Sequence, residues 1–167
     1  MAGEITTTAI LTGGCQCGAV RYALAGMPEG AHLCHCRMCQ KAVGGPFAAI
    51  APVRLADFAL TRGAPARFRS SDVAYRDYCA ACGTPLAFGY ESRAWIDVTI
   101  GSLDTPERVP PTQQYGIESR LSWFDPAILG DLPAHETQVT TGGRRVSPAN
   151  YQHPDEDTPE GWMARRP

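Results

Sequence analysis

The sequence predicts a mainly β domain in which short strands alternate with tight turns. Seven runs combine alternating polarity with β-branched or aromatic residues, at 19–24, 47–53, 57–63, 66–71, 73–79, 85–90 and 95–101. Glycine, proline, aspartate or serine stands at nearly every break between the runs, as in GMPEG, RGAP and CGTP. Since no long helical segment separates them, a β-rich domain is favoured over alternating βαβ units.

Helix signals are few and short. One or two turns are predicted at 36–42 (CRMCQKA), and a second short helix at 122–129 (SWFDPAIL), which Pro126 interrupts early. Beyond residue 136 the chain is rich in proline and acidic at 155–157, and it has no periodicity. We therefore predict one folded domain over 1–136 and a tail over 137–167 that is wrapped or partly disordered, with Trp162 as its docking residue.

Composition excludes several classes of function. The 167 residues carry a net charge of −2, so no basic surface for nucleic acid or anionic membranes is expected. No run of 18 apolar residues is present, and the opening MAGEITTTAILTGG does not resemble a signal peptide. We expect a cytoplasmic protein. In a reducing compartment, seven cysteines indicate metal binding or catalysis more than disulfides.

The seven cysteines fall into a first, a middle and a last group. The groups are Cys15 and Cys17 in a C-x-C, Cys34, Cys36 and Cys39 in a C-x-C-x-x-C, and Cys79 and Cys82 in a C-x-x-C. Such short turns direct thiolates and backbone N–H groups at one metal ion, and the neighbouring glycines permit the tight backbone that this requires. The pattern predicts zinc.

Two partitions of these cysteines are compatible with the spacing. One joins the first and last groups into a closed four-cysteine site and leaves the middle group as a site of its own. The other joins Cys36 and Cys39 with the last group and leaves three cysteines over. We prefer the first partition because every group then stays intact. It predicts two zinc ions per chain.

The three-cysteine site is either open or completed by a histidine. Three protein ligands and a vacancy are typical of catalytic zinc, where water or substrate takes the fourth place. The candidate fourth ligands are the four histidines of the chain, His32, His35, His135 and His153. His35 stands between two ligands in an extended segment, so we expect its side chain to face away from the metal. The spacing leaves both arrangements possible.

An open site of three thiolates favours a soft fourth ligand. Three negative charges around Zn²⁺ make a weaker Lewis acid than three neutral histidines do, but such a site suits a substrate thiol bound as thiolate. Metal binding lowers the pKa of that thiol and yields a nucleophile at neutral pH. We therefore predict thiol-addition or carbon–sulfur chemistry, with Cys34, Cys36 and Cys39 as the catalytic group.

The order of these motifs resembles a known family. GGCQCGAVRY, CHCRMCQKAVGGPF, YCAACGTPLAF and VTIGSLD follow one another as in the glutathione-dependent formaldehyde-activating enzymes, a family that includes centromere-protein-V-like members. The resemblance runs from about Gly13 to Asp104, with a looser echo at 118–133. It implies an Mss4-like, β-rich fold stapled by two zinc ions. The structural ion belongs to the first and last groups and the catalytic ion to the middle group.

The resemblance also implies an activity and its partners. That activity is condensation of formaldehyde with glutathione to S-hydroxymethylglutathione, formally a carbon–sulfur lyase reaction run in reverse. The expected partners are a small-molecule thiol and an aldehyde, with no nucleic acid and no membrane. A glutathione site needs cations for two carboxylates, and the candidates are Arg21, Arg37, Lys41 and Arg120. The alternative is a zinc scaffold without enzymatic activity that binds another protein.

Overall fold

Most of the regular structure is β-sheet. The computed structural model describes residues 9–124, 132, 140–141, 144–145, 152–159 and 162. Within this part of the chain there is one α-helix, α1 (Arg37–Val43). The strands are β1 (Leu11–Gly14), β2 (Arg21–Leu24), β3 (His32–Cys34), β4 (Ala48–Arg54), β5 (Phe58–Arg62), β6 (Ala66–Arg69), β7 (Ala74–Tyr78), β8 (Pro85–Tyr90), β9 (Trp95–Thr99), β10 (Gln113–Tyr115), β11 (Thr140–Thr141) and β12 (Arg144–Arg145).

The strands form one large sheet and two small ones. The large sheet has the order β10-β3-β4-β9-β8-β7-β6, and the small sheets are β1-β2-β5 and β11-β12. Every pairing is antiparallel except that of β10 with β3, which is parallel. The predicted mainly β class is confirmed. No helix in the described part of the chain has the length and apolar character needed to cross a membrane.

The seven predicted runs each contain a strand, and the helix predicted at 36–42 corresponds to α1. The sequence did not predict β1, β3, β10, β11 and β12. The last four have two or three residues each, which is too short for a periodic pattern, and half of the four residues of β1 (LTGG) are glycines, which are depleted in strands. In the second predicted helix, residues 122 and 123 form a turn, and 125–129 lie outside the described residues. The predicted domain boundary at 136 lies outside them as well and stays a prediction.

The main core is shared by the three-stranded and the large sheet. Tyr22 and Leu24 on β2 belong to the same buried cluster as Val53 on β4 and Val98 on β9. Alternation along β9 buries Ile96 and Val98 and turns 95, 97 and 99 to the opposite face of the large sheet. One face of the large sheet therefore builds the core, while the other is available for a site.

A buried ion pair joins β2 to the segment after β9. Arg21 is 3% exposed, and its Nη1 donates to Asp104 Oδ1 at 2.8 Å. Burial raises the pKa of Asp104, but hydrogen bonds from Arg21 and Thr12 outweigh burial and hold that pKa below its ordinary value. Arg21 Nη2 also donates to Asp157 at 2.9 Å, whose side chain is 68% exposed. The ion pair with Asp104 fixes the position of β2, and the contact with Asp157 joins the C-terminal segment to the same arginine.

Replacement of Asp104 by Asn is expected to lower the free energy of unfolding at pH 7 by about 3 kcal/mol, because it leaves the buried charge of Arg21 with only the exposed carboxylate of Asp157 as a partner. The matched control is Asp157→Asn, which removes the exposed partner and should cost less than about 1 kcal/mol. Urea unfolding of the three proteins measures both differences.

The Asp104→Asn effect should also depend on pH. A lowered pKa in the folded state means that the contribution of Asp104 is present above the ordinary aspartate pKa of about 3.9. It is lost as the pH falls through the folded-state pKa. The stability difference between wild type and Asp104→Asn should therefore shrink as the pH falls below about 4. A difference that stays constant as the pH falls well below about 4 contradicts the assignment.

Candidate metal centres

The first and last groups meet in one four-cysteine cluster. The sulfur atoms of Cys15, Cys17, Cys79 and Cys82 all lie within 4.8 Å of one another. Cys17 Sγ lies 3.6 Å from Cys15 Sγ and 3.8 Å from Cys79 Sγ. Four thiolates at about 2.3 Å from a tetrahedral zinc ion are about 3.8 Å apart. The donor set and its spacing fit zinc, and they correspond to the partition preferred from the sequence.

Two glycine turns build this cluster. Gly18 N–H donates to Cys15 O at 3.0 Å, and Gly83 N–H donates to Cys79 O at 2.8 Å. Both glycines adopt positive φ angles, +75° at Gly18 and +79° at Gly83, which residues with a Cβ rarely adopt. Val20 N–H donates to Cys15 Sγ at 3.2 Å and so disperses the charge of that thiolate.

The thiols of this cluster differ in their pKa values. Burial raises the pKa values of Cys15 and Cys79. Burial also acts to raise the pKa of Cys82, but hydrogen bonds from Thr84 and Cys17 outweigh it and lower this pKa to about 6. Cys82 is therefore ionised at neutral pH, whereas a metal must displace protons from the buried thiols.

A C-terminal strap, defined as residues 152–159 and 162, packs over the first group. His153 N–H donates to Gln16 O at 2.7 Å, and the His153 ring lies edge-on to Trp162 with centroids 4.4 Å apart. Arg62 Nη2 donates to Thr158 O at 2.8 Å. Trp162, which the sequence predicts as the docking residue, thus contacts the domain through His153.

The middle group forms a second cluster at the start of α1. The sulfur atoms of Cys34, Cys36 and Cys39 lie within 4.8 Å of one another. Cys34 ends β3, and Cys36 is the N-cap of α1, where its Sγ accepts a hydrogen bond from Cys39 N–H at 3.5 Å. Because Cys36 takes the place of a capping Ser or Asp, helix capping and sulfur clustering are achieved by the same turn.

The environments of these three thiols differ. Burial raises the pKa of Cys34 to about 12. For Cys36, burial acts in the same direction, but hydrogen bonds from Cys39, Cys34 and the Met38 N–H outweigh it and lower the pKa. Cys39 is only 4% exposed. The thiol with the lowered pKa is therefore the one at the N-cap of α1.

None of the described His, Asp or Glu side chains joins the three-cysteine cluster at this distance. His35 is fully buried and faces away, as predicted: its Nε2 lies 2.9 Å from Gln114 Oε1, and its ring packs against Phe47. His32 Nδ1 lies 3.0 Å from the carbonyl oxygen of residue 30, and His153 belongs to the strap. His135 lies outside the described residues.

The three-cysteine cluster borders a cavity of about 680 Å³ on the exposed face of the large sheet. Aromatic side chains of Phe88, Tyr90, Trp95 and Tyr115 line it, together with the charged Arg76, Arg93 and Asp97. A second cavity of about 530 Å³ adjoins it. The two share the lining residues Met38, Ile50, Ser70, Arg76 and Phe88.

Comparison with known proteins assigns the family. The model of the glutathione-dependent formaldehyde-activating enzyme matches residues 10–119, about two thirds of the chain. The chain belongs to this family. The family member also resembles the crystal structure of a Rhodobacter sphaeroides protein from a structural genomics programme, with 24% identity and a TM-score of 0.52 over 62% of this chain and 98% of that one. At that identity the likeness concerns the fold alone. Curated proteins give no match.

The cations expected from the sequence occupy different environments in this family member. The candidate Arg21 is wrong, because it is buried and paired with Asp104. Arg37 donates to Gln40 Oε1, Arg120 is exposed, and Lys41 lines the second cavity. The sequence analysis missed Arg76 and Arg93, which line the cavity of the three-cysteine cluster. No local motif marks them, since their place depends on which face of the sheet carries the cluster.

Alanine substitution of the two glycines tests the packing of the strap. Gly83→Ala should cost about 1–2 kcal/mol of unfolding free energy, because alanine is strained at this left-handed φ angle. The new Cβ meets no atom within 4 Å, so no further loss from a steric clash is expected. Gly18→Ala carries the same strain, and its Cβ would lie 2.2 Å from His153 Cδ2 and 2.9 Å from Trp162 Cζ3. We expect an additional loss of about 1–3 kcal/mol. Equal losses in urea unfolding would show that the strap does not press on Gly18.

Proposed function

We propose that this family member is a zinc-dependent enzyme of the carbon–sulfur lyase type, which adds a glutathione-like thiol to an aldehyde such as formaldehyde. The observation that carries the proposal is a cluster of three cysteine sulfurs beside a large cavity, with no fourth ligand among the described His, Asp and Glu residues. Membership of the family supports glutathione and formaldehyde as the substrates.

The two clusters would hold different ions. Cys15, Cys17, Cys79 and Cys82 would hold a structural zinc, and Cys34, Cys36 and Cys39 a catalytic one. Zinc at the second cluster supplies an open coordination position and lowers the pKa of a thiol that takes it. The adjoining cavity of about 680 Å³ falls in the size range of small-molecule sites, and its aromatic wall restricts the access of water.

The charged groups of the cavity suit a thiol that carries carboxylates. Arg76 and Arg93 line it, and guanidinium groups bind carboxylates through paired hydrogen bonds. Arg93 lies over the ring of Tyr90 at 4.4 Å, which keeps its charge at the rim. These two side chains supply the cations that the sequence-based candidates do not.

The addition also moves one proton. A carbon–sulfur bond forms, the carbonyl π bond breaks, and the thiol proton ends on the former carbonyl oxygen. Asp97 is the carboxyl group among the described residues that line this cavity, and burial raises its pKa, although His32 and Arg93 act in the other direction. A carboxyl group with a raised pKa is suited to accept the proton and to return it. We assign this role to Asp97.

Metal analysis and activity assays test the proposal together. Protein purified without chelator should contain about two zinc ions per chain and should consume formaldehyde only when glutathione is present. Cys39→Ser should reduce the metal content to about one and abolish the activity, while the protein stays folded. A wild-type content of one, with the middle group readily alkylated, contradicts the two-site assignment. Two ions without thiol binding would favour the scaffold alternative.

The role of Asp97 predicts a change in the pH profile. Asp97→Asn should lower kcat/KM by a factor of about 10²–10⁴ and remove the acidic limb of its pH dependence. Because burial raises the pKa of Asp97, that limb should lie above the range of an exposed aspartate. Asp72→Asn, an exposed aspartate in the loop before β7, is the control and should leave the profile unchanged. An acidic limb retained in Asp97→Asn would assign the proton transfer to another group.

A further inference from the structure

Arg76 is a half-buried cation without a carboxylate partner in the part of the chain that the structure describes. The buried Arg21 is paired with Asp104, and the exposed Arg67 is paired with Asp77. Arg76 instead donates from Nη2 to Cys39 Sγ at 3.4 Å. A guanidinium that pairs with a cysteine of the three-cysteine cluster in place of a carboxylate requires an explanation.

The sheet holds this guanidinium in place. On β7, Asp77 points to the opposite face from Arg76. On the cavity face Arg76 stands opposite Phe88 of β8, and Phe88 stands opposite Asp97 of β9. Arg76 and Asp97 are thus two strands apart, about 10 Å, with the Phe88 ring between them. The guanidinium lies over that ring at 4.9 Å, and its Nη2 reaches Cys39 Sγ.

The charge of the cluster indicates what this cation does. Three thiolates and one divalent ion carry a net charge of −1, and an incoming thiolate raises it to −2. Aromatic side chains line the cavity, so the repulsion between the negative charge of the cluster and the incoming thiolate is screened less than in water. A guanidinium that donates to Cys39 Sγ offsets one negative charge and draws electron density from that sulfur.

We propose that Arg76 is a positioning residue that enables the three-cysteine cluster to accept a thiol in its anionic form. It acts through Cys39, by a charge-assisted hydrogen bond to the sulfur, and through its position beside the cavity. The inference rests on the proposed function, which it deepens. It concerns acceptance of the thiol and not the later reaction with the aldehyde.

The test uses cobalt-substituted protein and 2-mercaptoethanol, a thiol without carboxylates. Arg76→Met should weaken binding of 2-mercaptoethanol at least tenfold, with two cobalt ions still present per chain. It should also shift the sulfur-to-cobalt charge-transfer band of the thiol-free protein to lower energy, because the sulfur loses its hydrogen bond. Arg76→Lys should recover most of the affinity. If Arg76→Met does not retain two cobalt ions, Arg76→Leu, which also removes both the donor and the charge, serves in its place.

Arg93→Met is the matched control. Arg93 lines the same cavity and also lies over an aromatic ring, but no hydrogen bond joins it to a sulfur among the described contacts. Its replacement should leave the band unchanged and the affinity for 2-mercaptoethanol within twofold of wild type. An effect equal to that of Arg76→Met would show that general cavity charge, and not the contact with Cys39, is responsible, and would overturn the proposal.

The outcomes separate this proposal from the proposed function. An Arg76→Met protein with unchanged band and affinity overturns the role of Arg76, while a wild type that binds thiol and consumes formaldehyde still supports the function. A weakened Arg76→Met alongside a wild type that binds thiol without consuming formaldehyde supports the role of Arg76 and contradicts the function. A wild type that binds no thiol overturns both.

Discussion

The joining of two distant cysteine turns is the constraint on which the rest of the structure depends. One turn follows β1 of the three-stranded sheet, and the other is the β7–β8 turn of the large sheet, and Cys17 and Cys79 are 62 positions apart in the sequence. Four sulfurs drawn to one point hold these two sheets together at the end of their shared core. The same constraint helps to position the candidate active site, because Arg76 on β7 lies only three residues before Cys79, which directly follows that strand.

The two clusters use the same kind of side chain for different purposes. The four-cysteine cluster offers four sulfur atoms, the number that a tetrahedral zinc ion needs, and the strap around His153 covers the first group. In the three-cysteine cluster the N-cap turn of α1 brings three sulfurs to the border of a cavity. A cluster with four protein sulfurs suits a structural metal site, whereas a cluster of three at the border of a cavity suits a reactive one. The difference arises from the neighbouring elements and not from the cysteines themselves.

The charges around the cavity say more about its chemistry than the net charge of the chain does. The chain as a whole carries a net charge of −2, yet cationic side chains line the cavity beside the thiolates. Arg76 and Asp97 stand in one cross-strand row with Phe88 between them. Because the Phe88 ring keeps them apart, the two groups can have separate roles. Arg76 can act on the thiol, and Asp97, with its raised pKa, can act on the proton that the thiol gives up. An ion pair between them would cancel both effects.

The sequence by itself determined the mainly β class, the seven strands β2 and β4 to β9, α1 and the three short groups of cysteines, because alternation, turn residues and short cysteine spacings are local properties. It also indicated that the side chain of His35 points away from the cysteines. Only the tertiary structure decided that Arg21 is buried with Asp104 and that Arg76 faces Cys39. Such contacts depend on strand pairings between residues tens of positions apart, including the parallel pair β10–β3, which no local pattern records.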